Sequence, residues 1–148
     1  MEDDVKFEDV LAEWDKDCII DKTELGDESV KIPKLHNKYY KIFIAERSAL
    51  KSLEAQMKIL KLDKHEFYTQ GHTQETKEKG WELPARGMIL KSDLSMYMDA
   101  DKDIIALSLK IGLQQEKVEA LEAIIKTLNN RGYLLKTAMD WVKFQNGG

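Results

Sequence analysis

The stretch IIALSLKIGLQQEKVEALEAIIKTLNNRGYLLKTAMDWV, Ile104 to Val142, decides the fold. Apolar or tolerated residues recur at Ile104, Leu107, Ile111, Gln114, Val118, Leu121, Ile125, Leu128, Gly132, Leu135, Met139 and Val142. This unbroken three-four alternation is the mark of a helix carrying a continuous apolar seam. Such persistence favours a coiled-coil-like seam over an ordinary surface helix. Ile105, Ile124, Leu134 and Trp141 widen the stripe, so it requires more than one neighbour. The expectation is a homo-oligomer larger than a dimer, joined through Ile104, Leu107, Ile111, Val118, Leu121, Ile125, Leu128, Leu135, Met139 and Val142. A helical bundle and an intramolecular helical hairpin are the alternatives. Gln114 is positioned to fix register, and Gly132 to allow close backbone approach or a kink. Asp99 is the expected cap of this helix, with Asp101 and Asp103 in its first turn against the dipole.

Upstream, Pro33 to Tyr68 contains no Gly and no further Pro, and Tyr39, Ile42, Phe43, Leu50, Leu53, Met57, Leu60 and Phe67 mark a second long amphipathic helix. Phe7, Val10, Leu11 and Trp14, spaced by three and four, predict a short docking helix before it. Asp21 to Glu24 has the form of a capping box, and a break is expected near Ser29 to Ile32, with Pro33 in the first turn of the next helix; a kinked continuous helix is the alternative. Thr69 to Leu94, with Gly71, Gly80, Pro84 and Gly87, reads as a connecting loop; Trp81, Leu83, Met88, Ile89 and Leu90 could pack part of it or form one short strand. The fold class is therefore all-α: two long amphipathic helices plus short N-terminal helices, the C-terminal helix forming an oligomeric assembly. Three regions follow, 1–70 N-terminal and helical, 71–98 connecting, and 99–148 for oligomerisation.

Composition supports this reading, because 8 Gly and 2 Pro in 148 residues leave little material for strand turns. No apolar run approaches the roughly 18 residues of a membrane span, and the start Met1 to Asp4 is acidic where a signal peptide is basic, so a cytosolic protein with no membrane association is expected. The lone Cys18 suits a small packing role in a reduced compartment. No Walker loop, nucleophile elbow, zincin motif or cysteine pair is present, and His65, Glu66 and His72 lack a fourth partner for a metal, so neither an enzyme nor a cofactor is expected.

The net charge of −4 conceals a segregation: residues 1–30 carry −9 and residues 31–64 carry +6. A local field of that kind can bind a polyanion although the whole chain is acidic. Lys34, Lys38 and Lys41 lie on one face of the second helix, and Arg47, Lys51, Lys58 and Lys61 on a neighbouring one, where they could follow a phosphate backbone. Tyr40 and Tyr68 could stack on unpaired bases; plain solvation of the helix by its lysines is the competing reading.

Four words then acquire a meaning together: Lys16-Asp-Cys-Ile-Ile-Asp-Lys-Thr-Glu-Leu25; Glu54-Ala-Gln-Met-Lys58 leading to Phe67-Tyr68-Thr-Gln-Gly71; Asp99-Ala-Asp-Lys-Asp103; and Asn130-Arg-Gly132. In order and spacing they resemble the UvsY-like recombination mediators of T-even-like bacteriophages. The resemblance implies a ring of six or seven subunits that binds single-stranded DNA and helps a RecA-like phage recombinase displace the phage single-strand-binding protein, in the cytoplasm of the infected bacterial host. It also implies that basic residues just after the Glu-Ala-Gln word contact DNA, here Lys58 and Lys64, whereas a further basic position falls on Leu62, with Lys61 beside it. The expected DNA-binding set is Lys38, Lys41, Arg47, Lys51, Lys58, Lys61, Lys64 and Tyr68. A helical scaffold binding a partner helix, without nucleic acid, is the rival function.

Overall fold

A computed structural model describes residues 6–147, so the acidic start Met1 to Asp4 lies outside the described residues. Among them the elements are all helical: α1 Phe7–Asp17, α2 Leu25–Gln70, α3 Gln74–Glu78, α4 Leu94–Asp99 and α5 Lys102–Gln145. The chain divides into two compact units, residues 1–47 with 116–148 and residues 48–115; the long helices α2 and α5 contribute to both.

In the first unit α1 presents Val10 and Trp14 inward. Val10 is buried, and the Trp14 ring meets Tyr39 of α2 edge-on at 5.3 Å. Leu121 and Leu128 of α5 are wholly excluded from solvent, with Val118, Ile124 and Leu135 nearly so. The buried row therefore steps from Val118 to Leu121 to Ile124, then to Leu128, Arg131 and Leu135, instead of through Ile125 and Gly132 as the heptad predicts. The deepest burial thus falls one position early at Ile124 and Arg131 and returns to the heptad at Leu128 and Leu135. Ile125 is left half-buried and Gly132 exposed, a Cβ there meeting only Ile32 at 3.9 Å.

α2 does not break at Ser29 to Ile32 as expected but runs through Pro33. The proline deprives the Ser29 carbonyl of its donor, but both residues are exposed, so that carbonyl can bond water while the helix continues. The expected capping box at Asp21 is also replaced: the Asp21 carboxylate accepts from the amide and hydroxyl of Thr23, at 2.9 and 2.6 Å, while the Glu24 amide donates to the Asp21 main-chain carbonyl at 3.2 Å. Cys18 is exposed at the end of α1, where its Sγ donates to the Asp15 carbonyl, so it has no packing role.

In the second unit α2 ends where Gly71 takes φ +88°, a left-handed conformation that glycine reaches without steric cost. The segment expected as a loop folds back. Thr73 and Thr76 cap α3 reciprocally, and the Ile89 amide donates to the Tyr68 carbonyl at 2.8 Å. Phe67, Tyr68, Ile89 and Leu94 form a core flanked by Trp81, Leu83, Tyr97 and Met98, while Met88 and Leu90 face solvent. Asp101, not Asp99, caps α5: its Oδ1 accepts the amides of Asp103 and Ile104 at 3.0 Å each, and Asp99 closes α4. The aspartate one residue before the first helical residue wins because only its carboxylate reaches the second and third amides.

Candidate nucleic-acid interface

The basic helix divides into side chains already engaged by the protein and side chains that no ion pair among the described residues holds. Lys64 belongs to the first group. Only 4% of it is exposed; its Nζ lies 3.1 Å from Asp101 Oδ2 and 2.7 Å from Asp103 Oδ2, and 3.8 Å from the centre of the Trp81 ring. Tyr68 is buried beside it and donates to Asp101 Oδ2 at 2.6 Å. Burial pushes the Tyr68 phenol up, and the bonded carboxylate pushes it further, so it stays protonated and fixed. For Asp101, burial alone would raise the carboxyl, but the Tyr68 hydroxyl, the Ile104 amide and Lys64 outweigh it and hold it below the usual carboxylate range. The start of α5 thus engages both Lys64 and Tyr68, two residues of the expected DNA-binding set.

Lys38, in the first unit, is likewise occupied. Its ammonium sits 2.7 Å from both Glu13 and Asp17 of α1, and hydrogen bonding to Asp17 and Glu13 raises its pKa. The Asp17 carboxylate also accepts from Tyr39 at 2.7 Å. Arg131, buried in the same place, donates to the Asp17 main-chain carbonyl at 2.9 Å, with its guanidinium 5.7 Å over the Trp14 ring. The acidic first helix thus pairs with one residue of the expected DNA-binding set. Lys41 is exposed and lines an open groove of about 700 Å³ with Lys31, Lys34 and Lys38 over Leu35 and Ile42. Arg47 lies 6.0 Å over Phe43, and Tyr40, stacked on His36 at 5.7 Å, keeps an exposed ring.

In the second unit Lys51, Lys58 and Lys61 are exposed, and among the described residues no ion pair holds them. Spacings of seven and three keep them on one side of α2 over about 15 Å of helix, with Glu54 the acid sharing that face. Leu62, where the resemblance puts a basic position, is 58% exposed, so the position is open to solvent but uncharged. Beside the row is an open groove of about 650 Å³, whose lining includes Lys61, His65 and Lys91. Lys91 escapes sequence reasoning because nothing local distinguishes it; only the fold-back after Gly71 brings it to α2. His65, a candidate in sequence only as a metal ligand, lies on this rim, and His72 instead lies 3.3 Å from the Thr76 hydroxyl. No cluster of three metal-ligating side chains exists among the described residues.

The residues expected to join subunits also separate. Ile104, Val118, Leu121, Leu128 and Leu135 are buried within the single chain, and Leu107, Ile111 and Ile125 are half-buried, because α5 is packed on its own neighbours. Met139 and Val142 are exposed, as are Leu134, Trp141 and Phe144; the last two rings stack at 5.7 Å. No helix is long and apolar enough to cross a membrane among the described residues.

Residues 13–148 match the family described as recombination, repair and ssDNA binding protein UvsY. The chain is 22% identical over 144 residues, 97% of its length and 99% of the relative's, to the recombination protein uvsY of Enterobacteria phage T4. Two crystal forms of the bacteriophage T4 recombination mediator protein UvsY share its fold. They superpose with TM-scores of 0.76 and 0.77 at 22% identity, covering 93% and 96% of this chain and 98% of each crystallised chain.

Proposed function

This chain belongs to the UvsY family of recombination, repair and single-stranded-DNA-binding proteins, and from that premise we propose that it is a recombination mediator acting as a homo-oligomeric ring. Six or seven copies would bind one DNA strand and load a RecA-like phage recombinase against the single-strand-binding protein, in the cytoplasm of the infected bacterium. The observation that carries the reading is the exposed, unpaired row Lys51, Lys58 and Lys61 on α2. Each subunit contributes a few phosphate contacts of modest strength. A closed ring multiplies them by effective concentration, so a strand is held firmly by the assembly and weakly by any one subunit. A strand held in this way can be handed over stepwise as the recombinase takes its place.

The exposed end of α5, with Met139, Trp141, Val142 and Phe144, supports the assembly part of the reading, since an apolar surface of this kind favours contact with another chain. The test is native mass spectrometry with and without an oligonucleotide. A discrete mass of six or seven subunits that takes up single-stranded DNA is expected. A monomer that ignores DNA at low salt would return the chain to the class of helical adaptors.

A further inference from the structure

The groove beside the basic row has a composition that phosphate binding alone does not require. Its floor is apolar, formed by Met57 of α2, Leu94 and Met98 of α4, and Ile104 at the start of α5. Leu94 and Ile104 are themselves buried side chains, so this floor is fixed by the core beneath it. Its rim carries Lys61, His65 and Lys91 against the single carboxylate of Asp99. About 650 Å³ is within the range of roughly 300–1,000 Å³ typical of sites that take small organic groups.

We propose that this groove receives unpaired bases of a bound single strand, their ring faces on the Met57–Met98 floor and the flanking phosphates on Lys61 and Lys91. The inference rests on the reading of the chain as a single-strand binder and adds the place where bases go. Charge selects a polyanion, and a flat, hydrophobic repeating group selects a nucleic acid among polyanions. Thioethers make favourable contacts with aromatic ring edges and faces, and two of them line the floor. The polar groups of the lining besides the rim cations, Ser95, Ser108 and Asp99, are too few to read base edges position by position, so the groove accepts any base. Lys61 is the last member of the exposed row on α2 and the first member of the groove rim, so phosphates tracking Lys51 and Lys58 lead the strand into it.

Fluorescence anisotropy on the full chain tests this with two probes, oligothymidylate and a sugar-phosphate chain of equal length without bases. Lys91→Ala is expected to weaken both by about five- to tenfold and to lower the log–log salt slope by about 0.7, one phosphate contact. Ser108→Trp fills the groove from its exposed side. It should weaken oligothymidylate by about tenfold, the equivalent of one stacked base, and leave the baseless chain unchanged. If wild-type protein binds oligothymidylate and neither variant alters it, the groove proposal is wrong while single-strand binding stands. The groove proposal is equally overturned if an acidic, leucine-containing peptide binds the wild type and loses its site in Lys91→Ala while DNA affinity holds. Wild-type protein that binds neither nucleic-acid probe would defeat the function on which the inference rests.

Discussion

Lys64 and Asp101 form an ion pair in which each side chain is only 4% exposed, Nζ to Oδ2 3.1 Å, at the point where Asp101 also caps α5. Removing one member of such a pair strands a charge away from water, which costs about 3–5 kcal/mol. Lys64→Ala is therefore expected to lower the midpoint of thermal unfolding, followed by circular dichroism, by roughly 10 °C or more. A midpoint within about 2 °C of wild type would show that Lys64 is no structural element.

The exposed row should behave in the opposite way. Replacing Lys51, Lys58 and Lys61 with Ala breaks no ion pair among the described residues and buries nothing, so stability is expected to stay within about 1 kcal/mol. Single-strand affinity should fall at least tenfold, and the salt slope should drop by about 2, at roughly 0.7 per contact. Titrations at several salt concentrations measure both, and an unaltered slope would move the site off α2.

Acid should unfold the protein through two depressed carboxylates that tie helices together, Asp17 and Asp101. Burial opposes ionisation of Asp17 as it does of Asp101, yet hydrogen bonds from Lys38 and Tyr39 hold Asp17 below the usual range. Between the folded and unfolded pKa values the unfolded chain binds more protons. The stabilisation is thus complete above the unfolded value, about 4, and is lost as pH falls through the folded values. The unfolding midpoint should be flat from about pH 7 to about 5 and then decline, less steeply in Asp101→Asn, which starts from a lower midpoint. Parallel declines in wild type and variant would contradict the assignment.

The proposed subunit contacts can be separated from internal packing. Trp141→Ser with Phe144→Ser alters rings that are 59% and 73% exposed, so the helical signal should persist while the native mass falls towards one subunit. Leu128→Asn, at a fully buried position, should instead unfold the chain. A double variant that keeps its full assembled mass would exclude the end of α5 from the interface.

Helix type and length are legible in the sequence because apolar periodicity is a local property. The long α5 and the extent of α2 beyond Pro33 follow from it, and the word Asp99 to Asp103 does mark the start of α5. What periodicity cannot register is a partner far along the chain. Lys64 and Tyr68 look like exposed members of a basic, aromatic face until Asp101 and Asp103 arrive from 33 and 39 residues away. The seam pattern favours Gly132 over Arg131, because a charge in a seam reads as surface. The burial of Arg131 depends on the Asp17 carbonyl and the Trp14 ring, contributed by a helix more than a hundred residues earlier. For the candidate interface, periodicity reveals the row on α2 and is silent on Lys91.

The division of the chain also imposes an order of events during synthesis. One unit is a single uninterrupted stretch, 48–115, whereas the other needs residues 1–47 and 116–148 together. The uninterrupted unit has all its material once residue 115 has left the ribosome, and its clasp between Tyr68 and Asp101 closes a loop of modest cost. The other must wait for the last helical turns, so the segment carrying Trp141 and Phe144 leaves the ribosome after all the material of the unit that holds Lys61. Nascent chains stalled after residue 115, plus enough residues to fill the exit tunnel, should already protect the Ile104 amide from hydrogen exchange while leaving that of Tyr39 open.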